Sequence, residues 1–225
     1  MKCFRFSLAV LAMCGPVSQA EVVFSPKISI ESQSYETDFT SGDYVSAGGG
    51  FTVFNQDGWF LDAEFFRNNG DSRVVGEVTR EETTLTVGKS LGNGLSVFGG
   101  YKIARSIGVD EITSTLINVK EIEIDTDGVF LGVSKGISVS ESGSLSFAGA
   151  ISPMSARITQ EDNNTGDDIV TTGSAVGMSL SGSYNHMLTK QWVSSLGYKF
   201  QKFSYGDAIG DETVTALFGK LSYRF

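Results

Sequence analysis

The chain has 225 residues, 40% of them hydrophobic, which suffices for one sizeable folded domain and excludes a disordered one. Its 26 acidic residues outnumber 17 basic ones, and the net charge of -9 argues against nucleic acid as a partner, because phosphate binding needs a basic surface. Glycine is plentiful at 27 and proline scarce at 3.

Residues 1–20, "MKCFRFSLAVLAMCGPVSQA", open with Lys2 and Arg5 and run apolar from Phe6 to Met13. A Gly15-Pro16 break follows, and Ser18 and Ala20 place small residues three back and one back from a cut. This is the pattern of a secretory signal peptide cleaved after Ala20, and its apolar run is too short to span a bilayer. Leu11-Ala12-Met13-Cys14 loosely approximates a lipoprotein signal, but Met13 is too large for the small residue usual there. Both cysteines, Cys3 and Cys14, lie in this segment, so residues 21–225, the predicted mature domain, carry no disulfide and no thiol chemistry. Loss of Lys2 and Arg5 takes the charge from -9 to -11.

The remainder has no long apolar run and little helical periodicity; it alternates. Ten strands are predicted in chain order, over 24–36, 43–54, 58–67, 80–91, 95–106, 126–139, 143–157, 170–187, 191–205 and 212–225. In the third, Trp59, Leu61, Ala63 and Phe65 share one face, while Asp62 and Glu64 share the other with Phe60 and Phe66. In the fifth, Leu95, Val97, Tyr101 and Ile103 oppose Ser96, Gly100 and Lys102. The seventh and eighth repeat the scheme with Ser, Gly and Ala on the second face. The tenth ends on Leu221, Tyr223 and Phe225, alternating with Lys220, Ser222 and Arg224. The connections alternate in length: "NQD", "GNG", "SES" and "LTK" are tight turns, and the five others are longer and mostly acidic. The longest of these, 107–125, reads as a loop of 19 residues.

An exported chain with an even number of strands, short turns at one end and long loops at the other resembles the outer-membrane β-barrel proteins of Gram-negative bacteria. Leu221, Tyr223 and Phe225 match the C-terminal aromatic signature of that superfamily. The resemblance implies an all-β, up-and-down antiparallel transmembrane barrel of ten strands in the cell outer membrane. It also implies that the barrel assembly machinery reads this signature and that the outer wall meets lipid and lipopolysaccharide. The alternative is a soluble periplasmic β-barrel binding protein, whose apolar face would point inward.

Trp59, Tyr184 and Trp192 fall near the short turns with the apolar parity, as interfacial aromatics do; Lys89 and Lys135 fall there too and can snorkel to headgroups. Catalytic chemistry has a thin basis. The one histidine beyond the signal, His186, sits beside the "LTK" turn, whereas the superfamily's enzymes place a histidine with Ser, Asp or Glu at the outer rim or in the wall toward it. No nucleophile elbow, zinc-protease motif or P-loop is present, and no cofactor or metal is expected. The acidic loop "EDNNTGDD" at 161–168 departs from the EF-hand pattern and reads as solvated, with at most loose divalent bridging to lipopolysaccharide phosphates.

The lumen charges are the candidate site. Glu31, Asp62 and Glu64 are expected to pair with Lys102, Lys199 and Lys220, with Lys220 near Glu31 across the closing seam. Such pairs either plug the barrel or line a narrow passive pore for small solutes. Ten strands lie between the eight that side chains fill and the sixteen of open porins. Inward Phe60, Phe66, Phe98, Phe130 and Phe218 favour filling, and the glycines at 48, 50, 88, 100, 132 and 197 favour space. A further alternative is a surface-interaction barrel, adhesive or lipopolysaccharide-contacting, that acts through its acidic loops.

Overall fold

The computed structural model describes residues 22–37, 41–72, 76–114, 117–162, 168–205 and 211–225. The predicted signal peptide and the centre of the acidic 161–168 loop lie outside them. Ten strands follow in order: β1 (Val23–Thr37), β2 (Ser41–Phe54), β3 (Trp59–Ser72), β4 (Gly76–Gly92), β5 (Leu95–Ser114), β6 (Ile117–Ser138), β7 (Gly143–Asp162), β8 (Asp168–Met187), β9 (Trp192–Ser204) and β10 (Asp211–Tyr223). Each pairs antiparallel with its neighbours in sequence, and β1 pairs with β10, closing the barrel. Closure leaves no edge along the membrane crossing, which lipid requires of a sheet.

Period-2 alternation divides the side chains. Ile28, Val45, Phe65, Val87, Ile103, Leu131, Ile151, Leu180, Leu196 and Leu217 are exposed on the outer wall, while Ser29, Ser46, Lys102, Thr126 and Glu31 are buried inside. A soluble barrel has the reverse arrangement, so the soluble alternative fails on this point. The apolar belt ends above in outward charges. Arg67 pairs with Glu81 at 3.6 Å, Arg105 with Glu123 at 2.7 Å, and Lys202 with Asp211 at 2.7 Å. It ends below at Trp59, Tyr184 and Trp192, with the Lys89 ammonium 5.1 Å from the Trp59 ring centre. Lys135 folds back to donate to the Asn93 carbonyl at 2.5 Å.

The tight turns follow local chemistry. Gly92, Asn93 and Gly94 all take positive φ (90°, 51° and 73°), so Asn-Gly supplies the two left-handed residues of a hairpin turn that matches strand twist. The long connections differ from the sequence reading. β5 continues to Ser114 and β6 begins at Ile117, so most of 107–125 is strand. The physical reason is that the barrel there stands above the belt. There "VKEIEID" still alternates, but its carboxylates take the outward parity that apolar residues hold in the belt. β5 to β8 run to 20, 22, 20 and 20 residues, against 13 for β9 and β10. About ten residues cross a bilayer. The rim is therefore uneven, with one four-stranded wall rising well above the rest.

Topology gives the first expected result. Protease added to intact cells should cut only at the long connections, such as 163–167, and never at the Ser140–Ser142 turn; a cut there would invert the assigned orientation.

Candidate functional site in the lumen

Six inward phenylalanines each stand in direct cross-strand register with an inward glycine. The pairs are Phe66 with Gly48, Phe60 with Gly88, Phe98 with Gly132, Phe130 with Gly100, Phe203 with Gly177, and Phe218 with Gly197. Each ring lies over its glycine so closely that a Cβ there would come within 2.2–2.8 Å of ring carbons. Gly50 faces the Ala63 backbone, but for Gly48, Gly88, Gly100, Gly132 and Gly197 this corrects the expectation that they open space. Each is covered by a ring, and the ring lies flat against the wall because the glycine is there.

Three rings then carry a cation. Lys199 Nζ lies 5.8 Å from the Phe66 centroid, Lys102 Nζ 5.7 Å from Phe203, and Lys220 Nζ 5.2 Å from Phe218. Such contacts favour an ammonium over the ring face. Each cation then meets a carboxylate: Lys199 with Glu31 at 2.9 Å, Lys102 with Glu82 at 2.9 Å, Lys220 with Glu64 at 2.6 Å. The lumen is thus built in layers of glycine, phenyl ring, lysine and carboxylate, from the wall inward.

The expected approach of Lys220 to Glu31 does not occur. Glu31 stands opposite Phe218, not Lys220, and Lys220 reaches over β1 and β2 to Glu64 on β3. Asp62 and Glu64 share Lys27, at 2.5 and 2.8 Å, and Thr52 also donates to Asp62 at 2.5 Å. Gln33 donates to Glu31 at 2.8 Å. Higher up, Arg80 bridges Glu82 at 3.8 Å and Glu212 at 3.4 Å, and Tyr205 donates to Glu212 at 2.8 Å. Among the described lumen side chains, five carboxylates (Glu31, Asp62, Glu64, Glu82, Glu212) face five cations (Lys27, Arg80, Lys102, Lys199, Lys220). Burial requires such compensation. Lys27, Arg80, Glu82 and Glu212 escaped the sequence reading, although their parity with inward neighbours such as Ser29, Thr84 and Val214 marks them.

The column is one-sided. It rises along β9, β10 and β1 to β5, while the facing parts of β7 and β8 carry Ala148, Ala150, Ser152, Gly177, Ser179 and Ser181. Between the two lies a cavity of ≈ 210 Å³, with Phe203 in its lining and Met154 and Ala175 packed with that ring.

Outside the belt, hydrogen bonds from Lys202 and Ser204 hold the Asp211 carboxyl below its ordinary range. Arg105 likewise depresses Glu123, while burial and the hydrogen bond to Glu123 raise Asp125.

His186 lies far from this column. Its Nδ1 is 3.4 Å from the Tyr184 hydroxyl, and the two rings stack at 6.1 Å near the short turns. Among the described residues no cluster of three or more His, Cys, Asp or Glu is placed to hold a metal ion.

Leu221, Tyr223 and Phe225 sit at the lower seam. The Phe225 amide donates to the Phe24 carbonyl at 3.0 Å, its ring lies 4.7 Å from Tyr223 and 6.0 Å from Phe24, and Tyr223 meets Trp192 edge-on at 5.0 Å. Phe225→Ala removes the ring that joins β1 to β10 through the lipid-facing side. Less protein should reach the membrane in heat-modifiable form; wild-type levels would remove the assembly role proposed for these three residues.

No family model matches the chain, and no curated protein sequence matches it. Among solved structures, the outer-membrane protease OmpT from Escherichia coli superposes with a TM-score of 0.55 at 10% identity, over 92% of this chain and 97% of that one. The translocator domain of the autotransporter NalP from Neisseria meningitidis superposes at 0.53 and 10% identity, over 96% and 91%. Likeness at this identity speaks to fold alone, and a protease and a translocator share it. The closed ten-strand wall, the inverted polarity and these superpositions agree: by fold, the chain is a transmembrane β-barrel of the outer-membrane type.

Proposed function

We propose that the protein is a non-enzymatic outer-membrane barrel with a sealed lumen, serving as a structural wall element rather than an open pore. One observation carries this reading: the five-by-five column of paired charges, packed on the Phe–Gly layers. A column of paired charges has no free charge to offer a permeating ion, and its rings take up part of the volume that ten strands enclose. A non-enzymatic role is supported by the position of His186, which has Tyr184 beside it and, among the described residues, no carboxylate partner. Lipid and lipopolysaccharide are the partners proposed for the apolar belt and the charged rim above it.

The second reading, a narrow passive pore, is favoured by the ≈ 210 Å³ cavity against the small-residue wall. Planar-bilayer recording separates the two. The sealed barrel gives no resolved single-channel steps in wild type and acquires them when the column is broken. Steps in wild type that reverse with a salt gradient would replace it with the pore.

A further inference from the structure

The lumen cavity brings together two kinds of wall. Four phenyl rings, Phe66, Phe98, Phe130 and Phe203, line one part of it, and the small residues of β7 and β8 line another. Glu64, Glu82, Lys102 and Lys199 line it as well.

Size bounds an occupant. An apolar cavity of about 150 Å³ holds a benzene molecule, so ≈ 210 Å³ takes about eight to ten non-hydrogen atoms. Charge bounds it further. Lys199 is paired with Glu31 at 2.9 Å, Glu64 with Lys220 at 2.6 Å and with Lys27 at 2.8 Å, and Lys102 with Glu82 at 2.9 Å. Every ion that lines the cavity has its counter-ion. An ionic occupant would add a charge with no partner in a buried space, so the fitting occupant is uncharged.

One group calls for a polar end. Lys102 is 7% exposed, and an ammonium has three N–H donors and no acceptor. Glu82 lies within ion-pair distance, but at angles outside those of a hydrogen bond. Among the described residues, Lys102 Nζ is the buried side-chain atom that lacks a hydrogen-bond partner. The Phe203 ring, 5.7 Å away, favours its charge but accepts no conventional hydrogen bond. A buried donor left unmade is costly, and an acceptor oxygen on an occupant would relieve it.

We infer that the cavity binds a small uncharged amphiphile. Its compact apolar body packs on the phenyl rings, and its single carbonyl oxygen accepts from Lys102 Nζ. A ketone, ester or lactone of about nine non-hydrogen atoms has this chemistry and this size. The inference goes beyond the sealed-lumen reading, because bilayer recording decides that reading and ligand binding decides this one.

The test refolds the full barrel in uncharged detergent with cyclohexyl methyl ketone carrying carbon-13 at its carbonyl. Wild type should show a saturable carbonyl resonance downfield of the ketone in micelles, because donation from an ammonium draws electrons off that carbon. Ala148→Leu combined with Ala150→Leu fills the cavity and should abolish the resonance in the same micelles. Isopropenylcyclohexane, which has the same shape without the acceptor, should compete at least about tenfold more weakly than unlabelled ketone. Cyclohexanecarboxylate, which is charged, should also compete at least about tenfold more weakly. Lys102→Met should erase the downfield shift and the preference for ketone over hydrocarbon. Each variant is first shown to be heat-modifiable like wild type. Should Lys102→Met fail to fold, the wild-type competitions and the filled cavity decide alone. Absence of a saturable resonance at millimolar ketone overturns the inference, as does its persistence in the filled variant. Equal competition by the hydrocarbon or by the carboxylate overturns the ligand class.

Discussion

Lys199→Met should lower the denaturant midpoint more than any other single lumen-lysine substitution. Its partner Glu31 is 3% exposed and would keep only the Gln33 amide. A buried charge stripped of its partner costs about 3–5 kcal/mol, whereas a neutral pair in the same space costs far less. The double variant Glu31→Gln with Lys199→Met should therefore recover most of the lost stability. Lys220→Ala is the contrasting case: Glu64 keeps Lys27 at 2.8 Å, so the loss should be smaller. The same Lys199 variant should introduce cation-selective conductance, read from the reversal potential in a salt gradient, because it removes a positive group and leaves a negative one. An unchanged midpoint would mean that water reaches Glu31 freely, and the sealed column would be lost as an explanation.

Gly197→Ala should also be destabilising, for a steric reason. Its Cβ would fall 2.4 Å from the Phe218 ring, 2.6 Å from the Gly182 carbonyl oxygen and 2.7 Å from Ser183 Cβ, so neither ring nor wall can yield alone. Overpacking of this kind costs about 1–3 kcal/mol. Gly177→Ala isolates the ring's share. Its nearest contacts are two Phe203 ring carbons at 2.8 Å, with Ser152 Cβ next at 3.4 Å. Adding Phe203→Leu should restore much of the loss at Gly177 and adding Phe218→Leu little of it at Gly197, measured as a double-mutant cycle by urea unfolding. Equal rescue at both sites would mean that backbone contacts do not limit Gly197.

Strand number and the inward lysines were legible in the sequence, because lipid on one face and lumen on the other impose a strict period of two. The strand ends above the membrane were not. "VKEIEID" keeps the alternation but puts carboxylates at the outward parity, where the belt has apolar residues, so a rule tuned to lipid stopped too early. In "REETT", Arg80 and Glu82 point inward and Glu81 outward, but a run of charges hides the alternation unless parity is counted back from Leu85. The Phe–Gly pairs were half visible. Parity put both partners in the lumen, yet only the register of adjacent strands shows that they are one feature. Lys220 reaching Glu64 lay beyond any such reading, since it depends on how far a lysine extends across two intervening strands.

The Phe–Gly pairs have a consequence for assembly. A strand slipped by two residues keeps its faces correct, so polarity alone does not reject it. A ring slipped by two positions would strike a side chain where it needs a glycine, as Phe98 would on meeting Phe130 or Ser134 in place of Gly132. The pairs key the β2–β3, β3–β4, β5–β6, β8–β9 and β9–β10 seams. The β1–β2, β4–β5, β6–β7 and β7–β8 seams carry no such key, and neither does the β1–β10 seam, which joins through an eleven-residue ladder and the Phe24–Phe225 contact. The barrel is thus indexed by rings at five of its ten seams, and the joint that closes the sheet is among those left free of them.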